Sequence, residues 1–304
     1  MGSTGRAVGI GNIPLSRLFL AAMSGVACRL AVRRNQMDPQ STIRLRTGHD
    51  MPRLGLGTWQ LTDGTAGAIE EALRIGYRMF DTAVDYGSQA GLGMGLQRSG
   101  IERGDIYIVT KIEEDDTPLD AVRRDLDELG LDYANLTLIH RPPENGAGEA
   151  LWEGLIRARE DGLVRDIGVS NYSSDMLDTL AAATGETPVV NQIEWSPFGH
   201  SDVLQDHHRA RNIVLMGYSP LTRGERLDDP QLHDIAAQHQ RTPAQIILRW
   251  NLQRGIVPLP KANQTSHIEE NFALYDFSLS DDDMQRIDRM NEMWSALGSS
   301  VAYA

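Results

Sequence analysis

Four side chains stand out for what they could do together: Asp81, Tyr86, Lys111 and His140. A free phenol has a pKa of about 10, an awkward value for a general acid at neutral pH. A cation within a few ångströms favours the phenolate and lowers that value, and a carboxylate can hold the cation in place. Asp81, Lys111 and Tyr86 supply those three parts. A neutral His140 beside the phenol could orient a carbonyl oxygen or relay a proton. The set would protonate or polarise a C=O group while another agent attacks its carbon. Each residue also has a plainer reading, as turn cap, solvated cation, core histidine or packing aromatic. Their placement together tips the balance toward chemistry.

That placement comes from spacing. Asp81 closes the run 76–81, Lys111 follows Ile106-Tyr107-Ile108-Val109-Thr110, and His140 follows Leu136-Thr137-Leu138-Ile139. Asp81 and Lys111 are 30 residues apart and Lys111 and His140 are 29 apart, about one strand-plus-helix unit. Titratable groups at the carboxyl ends of successive parallel strands converge on one face of a barrel.

The remaining elements follow the same alternation. Apolar runs at 54–59, 76–81, 106–111, 136–140, 164–169, 189–193, 213–218 and 256–259 read as strands. Helical spacing appears at 66–75, 91–99, 118–129, 149–160, 175–183, 202–211, 243–252 and 267–272. The helix at 91–99 is the weakest, because its glycines cost propensity. Residues 42–46 and 51–54 read as a hairpin lid at the barrel base, and 278–285 as the start of a capped final helix. The expected fold is α/β, a (β/α)8 TIM barrel with an N-terminal β-hairpin and an extra C-terminal helix. Gly9-Ile10-Gly11 lacks the third glycine and a strand before it, and Gly91-x-Gly93-x-Gly95 sits inside a helical stretch, so neither supports a doubly wound dinucleotide fold.

Composition narrows the classes. With 304 residues and 41% apolar content, the chain can bury a core without disulfide or metal staples. The single cysteine, Cys28, leaves no disulfide framework or thiolate cluster. A formal charge of -13 argues against nucleic acid or an anionic membrane as partner, and no apolar run reaches the length of a membrane span. Residues 1–36 hold arginines but no Asp or Glu. They read as a basic extension, disordered or lying upstream of a true start at Met37; an export or transit signal is the other reading. Residues 37–304 then form one catalytic domain.

The motifs resemble those of one family, the aldo-keto reductases. They are Gly55-Leu56-Gly57-Thr58-Trp59, Phe80-Asp81-Thr82-Ala83-x-x-Tyr86-Gly87, Val109-Thr110-Lys111, Leu138-Ile139-His140-Arg141-Pro142, Gly168-Val169-Ser170-Asn171-Tyr172, Asn191-Gln192-Ile193-Glu194, Tyr218-Ser219-Pro220-Leu221 and Pro258-Leu259-Pro260-Lys261-Ala262. They stand in the family's order across residues 42–291. The resemblance implies an NAD(P)H-dependent carbonyl reductase with Asp81, Tyr86, Lys111 and His140 as its tetrad and Tyr86 as the acid. His140, where certain steroid double-bond reductases of the family carry Glu, points to carbonyl reduction.

The resemblance also implies a cofactor site, with NADPH preferred and NADH also used. Ser170, Asn171 and Gln192 would hold the nicotinamide carboxamide and Tyr218 would stack on its ring. Thr58 and Asp81 would lie near the ribose, and Ser219 and Leu221 near the pyrophosphate. Lys261 would face a 2′-phosphate, with His267, Glu270 and Asn271 toward the adenosine. Two departures loosen that preference: Ala262 replaces the usual Ser, and His267 replaces the usual Arg, which a histidine does not reproduce. The loop after Lys111, Ile112-Glu113-Glu114-Asp115-Asp116-Thr117-Pro118, is short and acidic, and Glu113–Asp116 reads as solvated. Arg141 stands where the family usually has Trp. An open pocket lined by Trp59, Tyr86, His140 and Trp195 is expected, with a small carbonyl compound as substrate, no metal, a monomeric state and a cytoplasmic location. Two other readings compete: a nucleotide-sensing subunit on the same barrel, and a lyase using Lys111 as a Schiff base.

Overall fold

The computed structural model describes residues 1–2 and 37–298. By internal contacts the chain divides into Met1–Asp38 and Pro39–Ala304. The expected extension, apart from its first two residues, lies outside the described residues.

A short antiparallel hairpin, β1 (Thr42–Arg44) and β2 (Asp50–Pro52), opens the second unit. Eight parallel strands follow in one sheet, in chain order: β3 (Leu56–Gly57), β4 (Met79–Asp81), β5 (Tyr107–Ile112), β6 (Ala134–Ile139), β7 (Val164–Ser170), β8 (Val190–Glu194), β9 (Val214–Tyr218) and β10 (Val257–Leu259). The ends of the sheet meet through two backbone bonds: Gly55 N–H donates to Pro258 O at 3.2 Å and Gly57 N–H to Pro260 O at 3.0 Å. The seam is thin because Pro258 and Pro260 have no N–H to return. It is also close. A Cβ on Gly57 would lie 3.2 Å from Leu259 O, and one on Gly55 would lie 2.7 Å from the Leu259 side chain. This approach accounts for the Gly55-Leu56-Gly57 spacing.

Alternation along the strands fills the barrel and then arms its mouth. Met79, Tyr107, Val109, Leu136, Leu138, Val190, Val214 and Met216 form one interior cluster. One step of two further along, the same faces carry Asp81, Lys111, His140, Gln192 and Tyr218. At the base, Leu45 and Met51 of the hairpin join the cluster. There the fully buried Asp166 accepts from Thr47 Oγ1 at 2.6 Å and sits 2.9 Å from His49 Nδ1. The hairpin is therefore both an apolar plug and a polar clasp.

The helices lie outside: α1 (Thr65–Ile75), α2 (Gln89–Ser99), α3 (Pro118–Leu129), α4 (Glu149–Glu160), α5 (Ser174–Thr184), α6 (Asp202–Ala210), α7 (Pro230–His239), α8 (Pro243–Arg254), α9 (Thr265–Phe272) and α10 (Asp281–Asp288). α7 has no counterpart in the sequence reading, although its signals are ordinary: Asp229 caps it, Pro230 starts it, and Leu232, Ile235 and Ala236 face inward. Capping boxes at Thr242 and Ser280 open α8 and α10.

The glycines of α2 are packing contacts as well as weak helix formers. A Cβ on Gly93 would come within 2.4 Å of Leu129 O at the end of α3, and one on Gly95 within 2.8 Å of Ala66 O on α1. Two opposed effects therefore meet at Gly93. Alanine gains about 1 kcal/mol of helix propensity, while overpacking against a fixed carbonyl costs about 1–3 kcal/mol. The contact should win, so Gly93→Ala is expected to lower the urea midpoint; a midpoint above the parent's would show that α2 moves away freely.

Candidate active site

Asp81 ends β4, Lys111 lies one residue before the end of β5, and His140 follows β6 directly. Lys111 is fully buried and donates to Asp81 Oδ1 at 2.9 Å, Asp81 Oδ2 at 2.9 Å and Thr82 O at 3.0 Å. The ammonium is thus held by one carboxylate and one carbonyl, and it also interacts with the Tyr86 phenol. Gln192 Nε2 donates to Asp81 Oδ2 at 2.7 Å. Burial works against the Lys111 charge, but Asp81 and Tyr86 outweigh it, and the amine's pKa lies above the ordinary lysine value. A Schiff-base nucleophile needs a free amine, and the ion pair with Asp81 works against one.

Tyr86 stands in a short 3₁₀ turn, Val84–Tyr86, directly after β4. Its ring lies under the Lys111 ammonium, 4.8 Å from the centroid, and meets the His140 ring edge-on at 5.7 Å. The phenol does not titrate as the sequence suggests. Burial pushes its pKa up, Lys111 pulls it down, and Asp81 and Glu113 push it up again; the net shift is upward. The paired carboxylate cancels much of the cation's pull.

A cavity of about 950 Å³ opens above these groups, at the top of the range usual for small-molecule sites. Tyr86, His140, Ser170, Asn171, Gln192 and Tyr218 line it. Asn171, held at φ 65°, donates from Nδ2 to His140 O at 3.0 Å and accepts from the Tyr218 hydroxyl at 2.8 Å. Ser170 Oγ donates to Gln192 O at 2.7 Å. Ser219, Leu221, Lys261 and His267 line the cavity too. Trp59 and Arg223 come from the loops after β3 and β9, and the guanidinium stacks 4.3 Å above the indole.

Other expected residues lie elsewhere. Trp195 is fully buried in a core cluster with Phe198 and Trp250 and does not line the cavity. It follows β8 with its ring turned toward the helices, because Gln192 and Glu194 take the inward positions. Thr58 is buried under the cavity floor, donating to Asp81 O at 2.9 Å. Glu270 accepts from Thr242 Oγ1 and ties α9 to the cap of α8, while Asn271 is buried. Neither reaches the cavity. Asn191 faces outward and donates to Tyr172 O at 2.8 Å, joining β8 to the end of β7.

Three features escaped the sequence reading. Glu113 is not solvated: it lies 2.7 Å from His140 Nδ1. Its signal was present, since Glu113 continues the inward alternation of Tyr107, Val109 and Lys111. Arg223 over Trp59 has no local signal. The third is the segment after α10. Glu194 accepts from Ser295 Oγ at 2.5 Å and Ala296 N at 2.7 Å, which brings Ser295 and Leu297 into the cavity wall.

Residues 53–292 match the model of the aldo/keto reductase family. The chain belongs to that family. It is 38% identical over 269 residues to an aldo-keto reductase of Mycobacterium tuberculosis, covering 86% of this chain and 95% of that one. It is 37% identical over 259 residues to the glyoxal reductase of Bacillus subtilis, covering 83% and 94%. Among solved structures, the Bombyx mori aldo-keto reductase in complex with NADP superposes with a TM-score of 0.80 at 31% identity, over 86% of this chain and 95% of that one. This aldo/keto reductase is an NAD(P)H-dependent oxidoreductase acting on small-molecule carbonyls.

The buried ion pair is the stability-critical part of this site. Removing one partner strands a desolvated charge, a loss of about 3–5 kcal/mol. Lys111→Met is expected to lose about that much in urea unfolding, and Asp81→Asn with Lys111→Met to recover part of it. A single variant as stable as the parent would show that Asp81 finds water.

Proposed function

We propose that this enzyme reduces an aldehyde or ketone to the alcohol with hydride from NADPH, Tyr86 serving as general acid. The observation that carries the reading is one cavity lined both by Tyr86, His140 and the Ser170–Asn171–Gln192 group and by the cation Lys261 with His267. That donor set fits a dinucleotide. Gln192 gives an amide N–H to Asp81, leaving its carbonyl for a carboxamide N–H, and Tyr218 offers a ring face. Lys261 fits a 2′-phosphate, although Ala262 is buried and adds no hydroxyl.

The bound cofactor supplies hydride to the carbonyl carbon. The chain's own residues manage the oxygen. Burial keeps Tyr86 protonated, ready to donate as negative charge develops on the substrate oxygen, and Lys111 stabilises the phenolate that remains. Solvent returns the proton. The resemblance to a glyoxal reductase makes small dicarbonyls the first substrates to test, and the charged Arg141 at the cavity wall suits a polar carbonyl. A monomer in the cytoplasm completes the proposal, to be checked by light scattering and cell fractionation; no helix among the described residues is long and apolar enough to cross a membrane.

Tyr86→Phe is expected to lower kcat with glyoxal by about 10²–10⁴-fold, the usual worth of a general acid, while NADPH still quenches tryptophan fluorescence as in the parent. Full turnover would remove Tyr86 from the role. Lys261→Ala should raise KM for NADPH by about 10–100-fold, the weight of a charge-assisted hydrogen bond, and leave KM for NADH almost unchanged. Equal losses for both cofactors would place Lys261 away from the 2′-phosphate.

A further inference from the structure

We propose that Glu113 is a positioning residue that fixes which nitrogen of His140 serves the reaction. The proposal rests on the function proposed above. Glu113 Oε1 lies 2.7 Å from His140 Nδ1, and the two side chains are only 14% and 8% exposed. A contact that short between two buried bases needs a proton between them. An ionised carboxylate only accepts, so the proton belongs to Nδ1. In the neutral ring Nε2 then carries the lone pair. Nε2 makes no hydrogen bond to any described residue, and the ring stands edge-on to Tyr86 at the cavity wall. A neutral His140 in this tautomer accepts a proton or an O–H; it does not donate to a carbonyl oxygen. Of the two roles the sequence leaves open for His140, a neutral ring so paired takes the relay.

The carboxylate is itself held. His140 N donates to Ile112 O at 2.8 Å, aligning the two strand ends. Glu113 N donates to Asp116 Oδ2 at 2.8 Å, and Arg124 of α3 grips Asp116 at 3.0 and 3.2 Å. Burial opposes the Asp116 charge, but Arg124 and the Glu113 amide win and keep that carboxyl below its ordinary value. A chain of contacts thus runs from Arg124 through Asp116 and Glu113 to the imidazole. Asp85 also brings a carboxylate oxygen within 4.8 Å of the Glu113 and His140 atoms, but it is exposed and does not hold the ring.

The test combines ¹⁵N-histidine NMR with steady-state kinetics on glyoxal and NADPH, with His140→Asn identifying the signal. In the parent at pH 8, Nδ1 is expected to be protonated and Nε2 not; Glu113→Ala should redistribute the proton toward Nε2. Glu113→Ala should also lower kcat by about 10–100-fold, the usual weight of a histidine's outer partner, with KM changed less than about threefold. Glu113→Gln, whose amide oxygen still accepts, should recover at least part of kcat. A role confined to bracing the loop would lower the melting temperature and leave tautomer and kcat alone. An Nε2-protonated ring in the parent overturns the proposal. So does an unchanged kcat in Glu113→Ala while Tyr86→Phe is inactive, an outcome that leaves the proposed function standing. If both variants keep full activity, the acid assignment fails as well, and the NMR signal still decides which nitrogen Glu113 holds.

Discussion

An ammonium with no access to water is the constraint from which the rest of this site follows. Desolvating Lys111 and Asp81 costs several kcal/mol for each ion, and their attraction offsets this only when the remaining hydrogen-bonding capacity is filled. On the lysine side two carboxylate oxygens and the Thr82 carbonyl accept. On the carboxylate side, Gln192 reaches in from β8. Strands β4, β5 and β8 are thus joined at one level by polar contacts that tolerate little displacement. The residues of the proposed chemistry stand on this floor.

The same pairing governs the phenol. Burial pushes the Tyr86 pKa up, Lys111 pulls it down, and Asp81 opposes that pull, so the net shift is upward. The proton therefore stays on Tyr86 in the resting protein. Lys111 becomes fully effective only when negative charge appears on the phenol oxygen, when stabilisation favours the transition state over the ground state.

Around this floor the walls are more charged than the family resemblance suggests. Arg141 occupies a position where an indole is usual, Glu113 engages the histidine, and Arg223 covers Trp59 from the loop after β9. Each is a side chain on a loop that leaves a strand end. In such barrels the strands carry the shared chemistry, and the loops adapt it.

The sequence by itself determined the period-two runs, their spacing of about one strand-plus-helix unit, and hence which face of the barrel holds Asp81, Lys111 and His140. Those features are local, since alternation decides inside from outside and spacing decides order. Helix α7 carries signals of the same local kind, with Asp229 as its cap and Pro230 at its start. Tertiary structure alone decided the rest, because those outcomes depend on pairs of residues far apart in the chain. Trp195 could not be assigned to core or cavity until Gln192 and Glu194 were seen to take the inward positions. Glu270 is expected at the adenosine, and its tie to Thr242 through Oε1 is a contact between α9 and the cap of α8 that the sequence does not show. The glycines of α2 carried a propensity cost whose compensating contacts, Leu129 O and Ala66 O, lie on other helices. The direction of the Tyr86 shift, too, follows from a balance of burial and opposed charges, which only the packed barrel sets.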